Sequence, residues 1–158
     1  MTDDGPILRI LVDADACPVK EEIYKVAFRY AVPVEIVANS YMRVPLDPLI
    51  RQVVVDDKFD AADDYIAGQA GSNAVVVTAD ILLADRCLKA NATVIAPTGK
   101  PFTTGSIGTA IATRAIMADL RAGAGAGDGI GGPPPFSKAD RSRFLSALDE
   151  ALVRLQRK

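Results

Sequence analysis

The stretch Ile7-Leu8-Arg9-Ile10-Leu11-Val12-Asp13-Ala14-Asp15-Ala16-Cys17-Pro18 decides how the rest of the chain reads. Ile7–Val12 is apolar apart from Arg9, the pattern of a strand covered on both faces. It stops abruptly at two aspartates. Pro18 then suits the first turn of a helix over about Val19–Tyr30, with Glu21 and Glu22 near its positive end. A buried strand that ends in acids and turns at once into a helix is the opening half of a β-α-β unit.

The pattern repeats along the chain. Pro33–Ala38 is a second apolar run ending at Asn39, and Ile50–Val55 is a third after a loop carrying Pro45 and Pro48. Phe59–Ala70 reads as a helix with Gly71 as its C-cap. Ala74–Thr78 is a buried strand ending at Asp80, Ile81–Lys89 is helical, and Thr93–Ala96 is a fifth strand. Residues 106–122 predict a helix with Ile107, Ile111, Ala115 and Leu120 on its apolar positions. Strands alternating with helices imply right-handed crossovers and a mostly parallel central sheet of about five strands in a three-layer α/β sandwich. Residues 123–136 are rich in Gly and Pro and read as a connection. Ser137 and Asp140 then open a C-terminal helix. Its Phe144, Leu145, Leu148, Leu152 and Leu155 form a stripe that packs on the domain or on a partner. With 158 residues, 49% hydrophobic, the expectation is one domain, an α/β core over 1–122 followed by the connection and the helix.

Composition narrows the chemistry. There is no histidine, which removes Ser-His-Asp and Cys-His catalysis, HExxH zinc sites and any imidazole base. Cys17 and Cys87 have no metal-ligand spacing and suggest a reducing cytoplasm. No apolar run approaches the roughly 18 residues of a membrane span, and the N-terminus lacks the form of a signal peptide. The formal charge is −2, but residues 1–99 hold nine Lys/Arg against fifteen Asp/Glu, whereas residues 100–158 hold nine against five. The two halves either pair within the fold or set an acidic, cation-binding pocket beside a basic rim.

In open α/β sheets the ligand crevice lies beyond the carboxyl ends of the strands, where the strand order reverses. Asp13 and Asp15 end the first strand, Asp80 follows the fourth, and Asp63 and Asp64 lie early in the helix after the third. Adjacent helix positions differ by about 100°, so only one of the last pair faces the crevice squarely. Asp63 shares a face with Phe59, Ile66 and Ala67 and is the better candidate, leaving Asp64 solvated. Converging carboxylates repel unless a cation intervenes. An oxygen-only ligand set suits Mg²⁺ or Mn²⁺. Asp13 and Asp80 have a purely structural alternative, as helix caps. Asp56, Asp57 and Asp60 read as a solvated turn. Cys17 reads as tight packing beside the site, with a reactive thiol as the alternative.

Val12-Asp13-Ala14-Asp15-Ala16-Cys17-Pro18 resembles the opening motif of the YaiI/YqxD family of bacterial proteins. The resemblance continues through Val37-Ala38-Asn39, Phe59-Asp60-Ala61-Ala62-Asp63, Thr78-Ala79-Asp80, Gly131-Gly132-Pro133, Phe136-Ser137 and Asp140-Arg141, and so covers nearly the whole chain. It implies a PIN-like nuclease fold. Asp63-Asp64-Tyr65-Ile66 is similar to the acidic helix motif of PIN domains, and Thr78-Ala79-Asp80 to their second strand-end acid. Carried over, Asp13, Asp63 and Asp80 match metal positions and Asp15 is a fourth acid. The Cys17-Pro18 pair departs from typical PIN domains.

The favoured expectation is a Mg²⁺- or Mn²⁺-dependent phosphodiesterase acting on nucleic acid, RNA more than DNA. The cation would be held by Asp13, Asp63 and Asp80, with Asp15 orienting water. Lys20, Arg114 and Arg121 would hold the nucleic-acid backbone, and Cys17, Asn39, Thr78 and Asp85 would support the site or touch substrate. One alternative is a non-catalytic metal or nucleic-acid binding module; under either reading a homo-oligomer stays open. Another is a haloacid-dehalogenase-like phosphatase with Asp13 as nucleophile, Asp15 as acid and Asp80 and Asp85 on the metal. The first turn lacks G-x-G-x-x-G, which argues against a dinucleotide binder.

Overall fold

The computed structural model describes residues 7–15, 17–58, 60–124 and 136–157, except the side chains of residues 119 and 121–124. Six strands and five helices follow in the order β1 (Arg9–Asp13), α1 (Lys20–Tyr30), β2 (Val34–Ala38), β3 (Ile50–Val54), α2 (Ala61–Gln69), β4 (Ala74–Val77), α3 (Ile81–Lys89), β5 (Thr93–Ile95), β6 (Pro101–Phe102), α4 (Thr104–Ala124) and α5 (Lys138–Gln156). The sheet order is β3-β2-β1-β4-β5-β6. Every pairing is parallel except β5 with β6. No helix among the described residues is long and apolar enough to cross a membrane.

Strand alternation builds the two faces. Ile10 and Val12 of β1, with Val75 and Val77 of β4, join the core beneath α1 and α5. Leu11, Val76 and Ala74 join the opposite core beneath α2, α3 and the start of α4. β1 and β4 are covered on both sides, and Ile10, Leu11, Val12 and all four β4 residues are buried. That is why both read in sequence as unbroken apolar runs. Glu35 of β2 accepts the Tyr65 hydroxyl at 2.7 Å and pairs with Arg9 at 3.8 Å and Arg51 at 3.6 Å. These contacts fix α2 against the sheet, with Ile66 fully buried beneath it.

The C-terminal helix packs on this domain. Phe144, Leu148, Ala151 and Leu152 are buried against α1 and the sheet, with Leu145 and Leu155 at the margin. The expected start is present as a full capping box between Ser137 and Asp140. Tyr30 donates to Asp149 at 2.7 Å, and Arg29 pairs with the same carboxylate.

The mostly parallel sheet of about five strands is present with one addition, and two further expectations are corrected. A sixth strand, β6, adds an antiparallel edge after a tight turn at Gly99, whose φ of 91° favours glycine. A Cβ there would also lie 2.6 Å from the Arg143 carbonyl carbon. Two residues are too few to show a strand period. Helix α2 ends at Ala70 in extended geometry, so Gly71 is not a left-handed cap. In α4 only Ile107 and Ile111 reach the core. Ala115 and Leu120 are exposed, because the helix runs on beyond the α3 surface it packs against. The connection at 125–135, including Gly131-Gly132-Pro133, lies outside the described residues, as does Phe59.

Candidate functional site

The strand order reverses between β1 and β4. Their register sets Val12 beside Val77, so Asp13 and Thr78 stand at the same level, one residue further on. Alternation turns both side chains toward the α2–α3 face. There the buried Thr78 hydroxyl donates to Asp13 Oδ2 at 2.8 Å and accepts the Asp80 amide at 3.0 Å. One threonine thus fixes the carboxylate ending β1 and the turn leaving β4.

Asp80 is the N-cap of α3. Its Oδ1 accepts the amides of Leu82 and Leu83 at 2.9 and 3.2 Å, leaving Oδ2 uncommitted. The capping alternative for Asp80 is therefore real, and it leaves one oxygen over for other work. Asp13 caps nothing: the N-cap of α1 is Val19, without a side-chain bond. A structural role for Asp13 as a helix cap is excluded.

Asp63 lies in the first turn of α2, one turn before the buried Ile66, and is half-buried. Its carboxyl is pushed up to about 6, first by burial and then by the charges of Asp80, Asp13 and Asp60, with Arg86 opposing. The Asp13 carboxyl is also raised, chiefly by burial, and by Asp15 and Asp80, against the Thr78 hydrogen bond. Asp13, Asp15, Asp63 and Asp80 are thus one electrostatic cluster at the crevice. No group of three or more His, Cys, Asp or Glu side chains that could hold a metal ion is formed among the described residues. Asp13, Asp63 and Asp80 share one edge and act on one another electrostatically without forming such a group. Thr78 and the α3 amides hold one oxygen each of Asp13 and Asp80.

The donor chemistry still fits a hard cation. All four groups are carboxylates, and the raised carboxyls of Asp13 and Asp63 record burial and neighbouring negative charge that a cation would relieve. Mg²⁺ commonly takes one or two protein carboxylates and completes its shell with water and substrate phosphate. An open cluster with uncommitted oxygens suits that mode better than an all-protein cage.

The remaining candidates divide. Asn39 is exposed just past β2, on the same edge, where the Ala14 amide bonds the Val37 carbonyl at 3.0 Å. Cys17 is buried and its thiol is raised, mainly by burial, which opposes a reactive thiolate. Lys20 donates to the Cys17 carbonyl at 3.0 Å and closes the loop that carries Asp15. Asp85 pairs with Lys89 at 3.0 Å and is not among the charges acting on Asp13 or Asp63. Arg114 is exposed on α4, and the side chain of Arg121 lies outside the described residues. Asp64 is exposed and pairs with Arg86 at 3.0 Å. Asp56, Asp57 and Asp60 are exposed as expected.

Two residues escaped the sequence reading as site neighbours. Arg86, from the acidic half of the chain, is the cation acting on Asp63. No local signal marks it, because the carboxylates it meets lie on another helix. Arg141 donates to the Pro18 carbonyl at 2.7 Å, approaches Glu22 at 3.4 Å and lies over the Phe136 ring at 5.1 Å. The C-terminal helix thereby braces the loop after Asp13.

The pH response of the cation-free protein tests this cluster. A carboxyl raised on folding contributes stability that is fully present below its unfolded value near 3.8 and lost as pH rises through about 6. Wild type in EDTA is therefore expected to lose melting temperature across that window, and Asp63→Asn to lose less. Calorimetric scans from about pH 4 to about pH 7.5 read the difference. Parallel curves would remove Asp63 from the cluster.

These features define a three-layer α/β protein with an aspartate cluster at the topological switch point. The family model described as Uncharacterized BCR, YaiI/YqxD family matches residues 11–154, and the chain belongs to that family. It is 71% identical over 148 residues to a UPF0178 protein of Sphingopyxis alaskensis, covering 94% of this chain and 95% of the relative. It is 58% identical over 150 residues to a UPF0178 protein of Bradyrhizobium diazoefficiens, covering 95% and 88%. Against a UPF0178 protein of Jannaschia sp. it is 58% identical over 157 residues, covering 99% and 100%. No solved structure matches the chain.

Proposed function

We propose that the protein is a divalent-cation-dependent phosphodiesterase of PIN-like type that cleaves nucleic acid, RNA in preference to DNA. The observation that carries this reading is geometric: at the switch point Thr78 ties the Asp13 carboxylate of β1 to the turn that bears Asp80, with Asp63 of α2 near enough for both charges to act on it. Buried acids gathered at such an edge are candidates for a working site. Asp13, Asp63 and Asp80 would hold Mg²⁺ or Mn²⁺ by their uncommitted oxygens. The cation would supply charge stabilisation to the phosphate and acidify water. Thr78 keeps Asp13 oriented, the Leu82 and Leu83 amides keep Asp80 in place, and Asp15 would orient the attacking water. Lys20 and Asn39, at the same edge, would meet the strand being cut.

Asp85 pairs with Lys89, which argues against the phosphatase alternative that needs it as a metal ligand. The direct test is incubation of purified protein with mixed RNA and DNA pools in Mn²⁺, Mg²⁺ or EDTA. Cleavage that needs a cation and favours RNA is expected. Intact pools under every condition, with nucleic acid retained, would favour a binding module instead.

A further inference from the structure

The loop from Asn39 to Leu49 joins two parallel strands without a helix, so it must cross the full height of the sheet. It does so on the α1 side, where Met42, Val44 and Leu49 pack against the core. Gln52 of edge strand β3 fastens it. The Gln52 side chain accepts the Met42 amide at 2.7 Å and donates to the Met42 carbonyl at 2.6 Å. Between loop and edge strand lies an open cleft of about 1050 Å³, lined largely by apolar groups including Leu46, Pro48 and Ile50. Tyr41 stands at this cleft with 84% of its surface exposed, and Leu46 is fully exposed.

A smaller cleft of about 330 Å³ adjoins it, sharing Arg43 and reaching Lys20 at the start of α1. Neither Arg43 nor Lys20 makes an ion pair among the described residues. The small cleft, whose lining also includes Glu21 and Tyr24, ends at Lys20, whose ammonium donates to the Cys17 carbonyl in the segment that follows Asp13. Tyr41 itself lies three residues beyond the end of β2, the strand paired with β1.

An unpacked aromatic ring, an apolar cleft and two cations without ion-pair partners among the described residues form the surface an unstacked base and its backbone recognise. We propose that this cleft is a base-binding subsite for single-stranded nucleic acid, with Tyr41 as the stacking surface and Arg43 and Lys20 on the adjoining phosphates. The inference rests on the phosphodiesterase reading and adds to it a strand preference: duplex bases, already stacked, cannot enter.

Fluorescence anisotropy with a labelled single-stranded hexauridylate and a labelled duplex, in EDTA, tests it without turnover. Wild type is expected to bind the single strand more tightly than the duplex. Tyr41→Ala should weaken single-strand binding roughly fivefold or more, and Tyr41→Phe should leave it nearly unchanged. Arg43→Ala should reduce the salt slope by about 0.7, the loss of one phosphate contact to a single strand. Equal affinity of Tyr41→Ala and wild type, or no binding by wild type, would overturn the subsite. Dimerisation that Tyr41→Ala abolishes, without oligonucleotide binding, would assign the cleft to a second copy and overturn it too. The two readings fail separately. Tyr41-dependent binding without cation-dependent cleavage keeps the subsite and removes the nuclease. Cleavage that ignores Tyr41 does the reverse.

Discussion

Phe144→Ala is expected to lower the unfolding free energy by about 3–5 kcal/mol. Phe144 is the largest fully buried side chain, and it sits where α5 meets α1 and the sheet. Truncation leaves a cavity that the surroundings cannot fill. Strands β1 and β4 are pinned on both faces, and the Phe144 amide nitrogen would lie 2.7 Å from a Cβ placed on Gly99, so the backbone is already in close contact. Urea unfolding followed by circular dichroism measures the change. A loss under about 1 kcal/mol would mean that α5 contributes little to the domain. The same variant should loosen the brace from Arg141 to Pro18, and with it the loop carrying Asp15.

Asp13→Asn should reduce cation-dependent cleavage by about a hundredfold or more. A cation supplies several kcal/mol of charge stabilisation, and each tenfold in rate corresponds to about 1.36 kcal/mol. Asparagine keeps the shape and can still accept the Thr78 hydroxyl, so the fold is preserved while the charge is lost. Single-turnover cleavage of labelled RNA in Mn²⁺ is the measurement. Retention of more than about a tenth of the wild-type rate would remove Asp13 from the reacting centre.

Much of the scaffold was legible because its signals are local and periodic. The apolar runs around Leu11 and Val76 announce doubly covered strands, and Ser137 with Asp140 announces the start of α5. Strand-end acids together with the switch-point rule brought Asp13, Asp63 and Asp80 to one edge. What escaped depends on contacts distant in sequence. Helix periodicity on α3 says nothing of which neighbour Arg86 meets, and Arg141 finds Pro18 across more than a hundred residues. That Thr78 holds Asp13 and the α3 amides hold Asp80 is a matter of contacts between elements and at a cap, which spacing alone does not encode. The loop at 39–49 carries no period at all. Its role is fixed by the parallel pairing of β2 with β3, which forces the chain across a face.

The central claim is that Asp13 belongs to a divalent-cation site, and thermal melting in EDTA and in millimolar Mn²⁺ tests it without a substrate. Asp13→Asn relieves repulsion in the cation-free cluster and should melt about 1–3 °C above wild type in EDTA. A cation that binds only the folded state raises the melting temperature by mass action, so Mn²⁺ should stabilise wild type and do far less for the variant. A variant that melts with wild type in EDTA and gains equally from Mn²⁺ would contradict the account.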